Sequence, residues 1–302
     1  MKILVVGCRG QLGHECVRVL GEGHDVRGLD VPELDITRDD CASVMATDPP
    51  EAIVNCAGYT DLDRCETQRS AAWGVNVEGV RRLAGVAERH GAVLLHVSTD
   101  YVFDGERPQP HPYTEQDAPG PVSYYGLTKL EGEKAVAEYR GPWIIVRTAW
   151  MYGIRGRNFL KTVLGRAARP GAGPLRVVSD QYGSPTWAYR LALQIRKLLE
   201  GNHKGLYHAT AEGHCTWHQL AGRFLAAMGV DCPVVPCATG EYPTAATRPK
   251  NSILENGRLK AEGISVMVDW RADLDEFVST EREALLGESG SVRPAAGNEV
   301  SA

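Results

Sequence analysis

The chain has 302 residues, of which 43% are hydrophobic and 24% are charged, and its formal net charge at pH 7 is −5. This length and composition suit one large α/β domain or two coupled domains. The slightly acidic balance and the lack of a basic run argue against a nucleic-acid partner. No apolar stretch approaches the roughly 20 residues that a bilayer-spanning helix needs, and the N-terminus lacks the features of a secretory signal. We therefore expect a cytoplasmic protein without a membrane partner.

The eight cysteines include no C-x-x-C pair, so we expect reduced thiols rather than a disulfide framework. His214 and His218 lie four residues apart with Cys215 between them, but we interpret this segment as the start of a helix. The sequence predicts no metal site.

Strand-like and helix-like runs alternate through the first half of the chain. The strand candidates are residues 2–7, 25–30, 52–58, 92–99 and 143–150. Nearly continuous apolar strands with helical runs between them are typical of a parallel sheet that is covered on both faces. The sequence therefore predicts an α/β fold with a Rossmann-like, doubly wound parallel sheet.

The second half is less regular, and we divide the chain accordingly. We predict a dinucleotide-binding domain over residues 1–150, with a return segment near residues 175–212. Residues 151–285 are predicted to form a smaller, interleaved region that mainly binds substrate. Residues 286–302 are small and polar, and we expect them to form a disordered tail.

The first strand runs directly into a glycine-rich loop. Gly7, Gly10 and Gly13 have the spacing G-x-x-G-x-x-G and lie between this strand and the first predicted helix. Glycines at such a turn let the backbone approach a pyrophosphate, whose charge then lies at a helix N-terminus. Asp30 ends the second strand, where a carboxylate can bind both ribose hydroxyls. The pattern predicts a dinucleotide site.

Two residues give opposite indications about the cofactor. The charge of Asp30 would repel a 2′-phosphate and so favours NADH, whereas Arg9 in the glycine loop could pair with that phosphate and favours NADPH. We expect NADPH, or use of both cofactors.

The segment SYYGLTKLEGEKA, from Ser123 to Ala135, contains two adjacent tyrosines ahead of a lysine. Tyr125 and Lys129 are four residues apart and would share a helix face, whereas Tyr124 would point elsewhere. An ammonium group beside a phenol favours the phenolate, so such a pair can donate a proton near neutral pH.

Polar side chains follow two of the predicted strands. The fourth candidate ends in Ser98, Thr99, Asp100 and Tyr101, and the fifth leads to Trp150 and Tyr152. Ligands of open parallel sheets bind beyond the carboxyl ends of the strands, so these groups and the tyrosine–lysine pair are predicted to converge on the dinucleotide site.

Together these features resemble the extended short-chain dehydrogenase/reductase family and, within it, the dTDP-4-dehydrorhamnose reductases. The matching stretches span residues 7–254 and are GCRGQLG, NCAGYTDLDRCE, VNVEGV, STDYVFDG, YYGLTKLEGE, RTAWMYG, DQYGSPT and RPKNSIL. The resemblance implies NAD(P)H-dependent reduction of the 4-keto group of a nucleotide-linked 6-deoxyhexose. The implied reaction converts dTDP-4-dehydro-L-rhamnose to dTDP-L-rhamnose, a precursor of cell-wall polysaccharide.

The resemblance also implies roles for individual residues. Tyr125 would donate a proton to the carbonyl oxygen, Lys129 would lower the pKa of Tyr125 and bind the nicotinamide ribose, and Thr99 would polarise the same carbonyl. Tyr101 and Trp150, together with Thr99, match substrate-contacting positions. The positions that match cofactor contacts are Gly7, Gly10, Gln11, Leu12, Asp30, Asp35, Ile36, Gly58, Tyr59, Thr60, Val97, Tyr125 and Lys129.

The chain departs from the family pattern at three places. Gly58 stands where alanine is more common, Leu62 stands where valine or another small apolar residue is common, and we expect the proline-rich residues 106–123 to be slightly longer than usual. We expect these differences to affect sugar selectivity more than the chemistry.

The same residues are also compatible with other functions. An epimerase or another 4-ketoreductase of the same family would use the same tyrosine–lysine pair, whereas a dehydratase would carry a second acid where Tyr101 follows Asp100. A non-catalytic regulatory subunit, like that of methionine adenosyltransferase, is a third alternative. The resemblance further implies a nucleotide-sugar partner and a homodimer that forms around Mg²⁺ in some relatives, although the sequence identifies no ligand set for this ion.

Overall fold

The computed structural model describes residues 1–40, 43 and 48–291 of the chain. The strands are β1 (Lys2–Val6), β2 (Asp25–Leu29), β3 (Ala52–Asn55), β4 (Val93–Thr99), β5 (Trp143–Thr148), β6 (Met151–Tyr152), β7 (Leu175–Val178), β8 (Tyr182–Gly183), β9 (Thr186–Trp187), β10 (Gly205–His208), β11 (Cys215–Thr216) and β12 (Val234–Cys237). The α-helices are α1 (Gln11–Leu20), α2 (Leu62–Thr67), α3 (Arg69–Trp73), α4 (Val80–His90), α5 (Tyr124–Ala137), α6 (Phe159–Ala167), α7 (Ala188–Glu200), α8 (Trp217–Met228), α9 (Gly257–Ala261) and α10 (Trp270–Ser291). A π-helical turn covers Gly74–Gly79, and 3₁₀ turns cover Asp100–Val102 and Thr239–Glu241.

Six strands form the central sheet in the order β10-β5-β4-β3-β1-β2, and every neighbouring pair is parallel. Successive residues of a strand point to opposite faces, and both faces are buried. Val5 and Val54 pack with α1 and α7 on one face, whereas Leu4 and Ile53 pack with α4 and α5 on the other. The prediction of an α/β fold with a doubly wound parallel sheet is confirmed.

The five predicted strands occupy their expected positions, but four of them end earlier than the apolar runs do. The third candidate was predicted to continue to residue 58 and ends at Asn55, and the fifth was predicted to continue to residue 150 and ends at Thr148. At these carboxyl ends the chain leaves the sheet pairing, so the remaining residues form loops over the edge where ligands of such sheets bind.

The second half of the chain contributes to both regions. β10 pairs with β5 at the edge of the large sheet, and α7 packs against α1. The remaining strands form small pairs (β11 with β8, β12 with β7 and β6 with β9) beside an aromatic core that includes Tyr152, Phe224 and Phe277. The domain boundaries given above stay a prediction.

The last helix extends beyond the predicted boundary of the tail. α10 continues to Ser291, so residues 286–291 are helical where the sequence predicted the start of a disordered tail. Leu285 is buried in the aromatic core and holds the helix against α8 at this point. Residues 292–302, the rest of the predicted tail, lie outside the described residues. Across the part of the chain that the structure describes, no helix combines the length and apolar character needed to cross a bilayer.

Candidate active site

Helix α5 carries the tyrosine–lysine pair to the carboxyl end of the sheet. The hydroxyl of Ser123 caps this helix by accepting a hydrogen bond of 3.1 Å from the amide of Gly126. A Cβ atom on Gly126 would lie 2.1 Å from the carbonyl oxygen of Tyr101, so glycine allows the helix to pack against the turn after β4. Tyr125 and Lys129 are both buried, with 8% and 4% of their surface exposed.

The two adjacent tyrosines have different surroundings. The ring of Tyr125 packs edge-on against Tyr101, with 5.8 Å between ring centroids. The ring of Tyr124 instead lies 4.8 Å from the guanidinium carbon of Arg69 and is half-buried. Only Tyr125 therefore faces the residues at the end of β4.

Burial dominates the acidity of Tyr125 and raises the pKa of its hydroxyl above the usual value. A hydrogen bond with Thr99 lowers this pKa in part, whereas the charge of Asp100 raises it further. The structure does not show Lys129 lowering the pKa of Tyr125, because the Lys129 amine contacts other groups. That role stays a prediction.

The amine of Lys129 is held at the end of β4. Its Nζ donates a hydrogen bond of 2.7 Å to the carbonyl oxygen of Val97 and lies 3.3 Å from Nε2 of His96. Burial lowers the pKa of Lys129 to about 8, although the charges of Glu133 and Cys56 oppose the shift. A lysine with this pKa can change its charge near neutral pH.

Thr99 begins the 3₁₀ turn that follows β4. Its Oγ1 accepts a hydrogen bond of 3.2 Å from the amide of Tyr101 and donates one of 2.9 Å to Oδ1 of Asp100. Burial raises the pKa of Asp100 to about 6, and the hydroxyls of Ser252 and Thr99 oppose this. A buried carboxyl group that titrates near pH 6 therefore lies behind the predicted substrate-polarising hydroxyl.

Asn76 holds the loop after β3 against α5, and the sequence did not indicate it. Its Oδ1 accepts from the amide of Tyr59 at 2.8 Å, and its Nδ2 donates to Oγ1 of Thr128 at 3.0 Å. A Cβ atom on Gly58 would lie 3.5 Å from Oδ1 of Asn76 and 3.6 Å from Cγ2 of Thr60, which are ordinary contacts. Alanine would therefore fit at position 58, and the departure from the family pattern there is mild.

The glycine-rich loop has the geometry that a dinucleotide requires. Gly7 has a φ of +78°, and a Cβ atom there would lie 2.7 Å from the amide nitrogen of Ala57. A Cβ atom on Gly13 would lie 2.0 Å from the carbonyl oxygen of Gly7. Among the described residues no side chain caps the N-terminus of α1 at Gly10, so a bound anion can accept hydrogen bonds from the first amides of this helix. The residues present fit a pyrophosphate.

Asp30 and Arg9 lie side by side at the edge of this loop. The carboxylate of Asp30 accepts hydrogen bonds from the amides of Arg9 and Val31, at 2.9 and 2.8 Å. The guanidinium of Arg9 pairs with Glu33 at 2.5 Å and also donates to the carbonyl oxygen of Val31. A 2′-phosphate would therefore have to replace Glu33 as the partner of Arg9.

The other predicted cofactor residues differ in what their side chains can reach. Leu12 and Ile36 are buried in the cores on opposite faces of the sheet. Asp35 accepts two hydrogen bonds from Thr37, which lower the pKa of Asp35. The side-chain oxygen of Gln11 accepts a hydrogen bond of 3.0 Å from the side-chain amide of Asn158, the residue that caps α6. Leu12 can therefore offer a cofactor only its backbone.

Trp150 is held in an unusual backbone conformation. Its φ of +44° lies in the left-handed region, where a bulky residue is strained. The indole stacks on Trp217 with 3.5 Å between ring centroids, and a Cβ atom on Gly183 would lie 2.3 Å from Cε2 of Trp150. The Trp217 indole N–H donates to Gln181 at 3.2 Å. Aromatic stacking and the lack of a side chain on Gly183 together hold Trp150 at the site.

A cleft opens beside Trp217. It is lined by Phe159, Arg176, Val177, Val178, Gln181, Trp217, Thr239, Tyr242, Thr244 and Arg248. The blocks DQYGSPT and RPKNSIL contain two of these residues, but a single glutamine or arginine in a loop does not reveal what it contacts. Within residues 1–40, 43 and 48–291, no group of three or more His, Cys, Asp or Glu side chains is placed to hold a metal ion.

Comparisons with known proteins agree with the sequence motifs. The family model described as the RmlD substrate binding domain matches residues 1–283. A dTDP-4-dehydrorhamnose reductase of Burkholderia thailandensis is 39% identical over 289 residues, which cover 90% of this chain and 96% of the relative. A probable dTDP-4,6-dihydroxy-2-methyloxan-3-one 4-ketoreductase of Streptomyces antibioticus is 40% identical over 285 residues, which cover 91% of this chain and 94% of the relative.

A solved structure shows the same relationship. The dTDP-4-dehydrorhamnose reductase of Bacillus anthracis, in complex with NADP, is 35% identical and aligns with a TM-score of 0.89. The alignment covers 92% of this chain and 99% of that chain. The resemblance predicted from the motifs is confirmed, and the chain belongs to the dTDP-4-dehydrorhamnose reductase family.

Proposed function

We propose that this protein uses a nicotinamide cofactor to reduce the 4-keto group of a dTDP-linked 4-dehydro-6-deoxyhexose. The preferred reaction is reduction of dTDP-4-dehydro-L-rhamnose to dTDP-L-rhamnose. The observation that carries this proposal is the position of Thr99, Tyr125 and Lys129, which lie at the carboxyl end of the sheet that also presents the glycine-rich loop. Membership of the reductase family supports the choice of substrate.

The mechanism assigns one proton transfer to the chain itself. Nicotinamide, when bound, supplies the hydride for the ketone carbon. The hydroxyl of Tyr125 gives its proton to the ketone oxygen as negative charge develops there. Thr99 has one hydroxyl proton, which it now donates to Asp100, so it must turn from Asp100 towards the ketone to stabilise that charge. The amine of Lys129 would bind the nicotinamide ribose.

For the cofactor we propose NADPH, with NADH as a weaker alternative. The structure of a relative in complex with NADP supports this order. In this chain, Arg9 would exchange its contact with Glu33 for the 2′-phosphate, while the carboxylate of Asp30 stays bound to two backbone amides.

For the substrate we place the sugar between Tyr125, Tyr101 and Trp150, and the nucleotide in the adjoining cleft. The aromatic side chains of that cleft suit a thymine ring. Arg176 would exchange its exposed contact with Glu241 for the diphosphate, whereas Arg248 stays bound to Asp63. A homodimer, a bound Mg²⁺ ion and a cytoplasmic location stay predictions from the sequence.

The test is oxidation of NADPH and NADH, followed at 340 nm, with dTDP-4-dehydro-L-rhamnose generated in situ. We expect oxidation that depends on the sugar and is faster with NADPH. Isomerisation of the sugar with tightly retained cofactor and no net oxidation would instead indicate an epimerase. Cofactor binding without turnover, together with copurification of a second chain, would indicate a regulatory subunit.

A further inference from the structure

A chain of buried polar groups lies behind Lys129 and takes no part in the proposed proton transfer. Asn55 is at the end of β3, His96 is on the neighbouring strand β4, and Lys129 is on α5. Asn55 and His96 are fully buried, and Lys129 is 4% exposed. Because these groups are shielded from water, they must form hydrogen bonds with one another. Matching each donor to an acceptor therefore shows which atoms carry protons.

The backbone determines the orientation of the Asn55 amide. The amide nitrogen of Ala57 donates a hydrogen bond of 3.1 Å to Oδ1 of Asn55. The remaining group, Nδ2, lies 3.0 Å from Nδ1 of His96. A side-chain amide nitrogen donates and does not accept, so Nδ1 of His96 must be the acceptor. Rotating the Asn55 amide by 180° would place two donors against each other at Ala57.

The single proton of a neutral His96 must then be on Nε2. Burial lowers the pKa of His96 well below its usual value, and the charge of Lys129 acts in the same direction, so the ring is neutral. Nε2 lies 3.3 Å from Nζ of Lys129. An ammonium group has no lone pair to accept from this N–H, whereas an uncharged amine has one and can still donate to the carbonyl oxygen of Val97.

We propose that Asn55 and His96 are positioning residues for Lys129: Asn55 fixes His96 as the Nε2–H tautomer, and this N–H favours the amine form of Lys129 over the ammonium form. The catalytic meaning of this inference rests on the proposed function, in which Lys129 acts beside Tyr125 and the ribose. The amine form of Lys129 has no charge with which to lower the pKa of Tyr125, so that predicted role belongs to the ammonium form alone. The arrangement itself does not depend on that function.

Other charged groups face Lys129 and act in the opposite direction. Glu133, one turn further along α5, and Cys56, at the end of β3, both favour the ammonium form. Glu133 is itself compensated, because it pairs with Arg147 at 2.7 Å and accepts from the hydroxyl of Ser98 at 2.5 Å. With its pKa lowered to about 8, Lys129 can exist in either form near neutral pH, which a lysine with an ordinary pKa cannot.

The first test is the tautomer of His96, measured by ¹⁵N NMR on the complete protein without substrate. His208 provides an internal control, because it is buried and its Nδ1 lies 3.2 Å from the carbonyl oxygen of Glu255. A carbonyl oxygen only accepts, so His208 must carry its proton on Nδ1. We expect opposite tautomers for the two rings, assigned with His96→Gln and His208→Gln. A proton on Nδ1 of His96, or a doubly protonated ring at pH 7, would overturn the proposal.

The second test is Asn55→Asp, which keeps the acceptor for Ala57 and replaces the donor that faces His96 with a second acceptor. We expect the proton of His96 to move to Nδ1 and the pKa of Lys129 to rise by about one unit, read from the ¹³Cε shift of labelled lysine. The negative charge of the new aspartate can raise the pKa of Lys129 without any change at His96. The tautomer of His96 therefore distinguishes the proposed mechanism from a simple charge effect. A higher pKa with the proton still on Nε2, or no change in either reading, would contradict the proposal.

Neither measurement requires turnover. If the protein reduced no sugar but His96 carried its proton on Nε2 and the pKa of Lys129 rose in Asn55→Asp together with the change of tautomer, the reductase proposal would fail and this inference would stand. If the reductase were active and His96 carried its proton on Nδ1, the inference alone would fail. Should Asn55→Asp not fold, as judged by circular dichroism, the tautomer of His96 and the pKa of Lys129 in the parent protein still decide the question. A proton on Nδ1 of His96, or an ordinary lysine pKa, would overturn the proposal.

Discussion

At the scale of single residues, two adjacent tyrosines that look alike in the sequence can be distinguished by experiment. Tyr125→Phe removes the hydroxyl beside Thr99, so we expect turnover to fall by about 10²–10⁴-fold while NADPH binding is kept, since a phenyl ring fills the same space. Tyr124→Phe is the matched control, because Tyr124 lies against Arg69, and it should retain nearly full activity. Steady-state kinetics and fluorescence titration with NADPH measure both effects. Equal activity of Tyr125→Phe and Tyr124→Phe would remove Tyr125 from its proposed role.

Asp100 gives a prediction for stability against pH. Its pKa is about 6 in the folded protein, where burial is the main cause, and 3.8 for an ordinary aspartate. Between these values the folded state binds more protons, so its stability falls as pH rises through the window from 3.8 to 6. We expect Asp100→Asn to lack this loss, so that the parent loses about 2–3 kcal/mol relative to the variant between pH 4 and pH 7.

Urea unfolding at several pH values measures the difference between Asp100→Asn and the parent protein. Asp39→Asn, which changes a carboxylate with 94% of its side chain exposed, controls for the altered net charge. Parallel stability curves for the parent and Asp100→Asn would show that Asp100 is ionised at low pH in the folded protein and would contradict the prediction.

Among the helices, α5 buries several polar side chains that its sequence pattern did not predict to be buried. Thr128, Lys129 and Glu133 are buried although they are polar, because each meets a partner from another element. Asn76 contacts Thr128, the carbonyl oxygen of Val97 contacts Lys129, and Arg147 contacts Glu133. A helix with polar residues on its inner face has no apolar stripe, so only the tyrosine–lysine spacing indicated its proposed role.

The start of α1 leads to a prediction about the glycine loop. Gly13→Ala would place a Cβ atom 2.0 Å from the carbonyl oxygen of Gly7, and neither the helix nor the loop can move without disturbing the other. We expect a loss of about 1–3 kcal/mol in the free energy of unfolding and weaker NADPH binding by tenfold or more. Urea unfolding and fluorescence titration check these expectations. Gly23→Ala is the control, since nothing lies within 4 Å of its added Cβ, and it should leave both readings unchanged.

Across the whole molecule, an ion pair connects the two halves of the chain beside the proposed substrate site. Asp63 in α2 accepts from both terminal nitrogens of Arg248, at 3.1 and 3.0 Å, and from the amide of Ala246 at 2.9 Å. Burial would raise the pKa of Asp63, but Arg248 and Ala246 overcome this and lower it. The contribution of Asp63 is therefore present above its unfolded pKa and is lost as pH falls.

Asp63→Ala should separate substrate binding from cofactor binding. We expect KM for the nucleotide sugar to rise about tenfold with little change in NADPH affinity, because Asp63 positions the segment that lines the cleft and does not touch the glycine loop. The stability loss should be about 1–3 kcal/mol, less than for a fully buried pair, because Asp63 is 30% exposed. Arg81→Ala, which breaks the exposed pair with Glu78, should cost less than about 1 kcal/mol. Steady-state kinetics and urea unfolding measure these effects, and a rise in the Kd for NADPH equal to the rise in KM would contradict the assignment.

The features that depend on local spacing followed from the order of the residues alone. The alternation of apolar runs and helices specified the parallel sheet, and the glycine pattern between Lys2–Val6 and α1 specified the loop that suits a dinucleotide. The four-residue separation of Tyr125 and Lys129 specified their shared helix face. Each of these follows from the short-range geometry of helices, strands and turns, which the order of residues controls directly.

Contacts between residues that are far apart in the sequence depend on how the helices and strands pack together. Asn55 and His96 are 41 residues apart in sequence, and Asp63 and Arg248 are 185 apart, so no local pattern predicts either pair. The direction of the Lys129 amine, towards His96 and Val97, was likewise decided by the packing of α5 against β4. Spacing places a side chain on a face of its own element, whereas its charge and its hydrogen bonds depend on burial and on neighbours supplied by other elements.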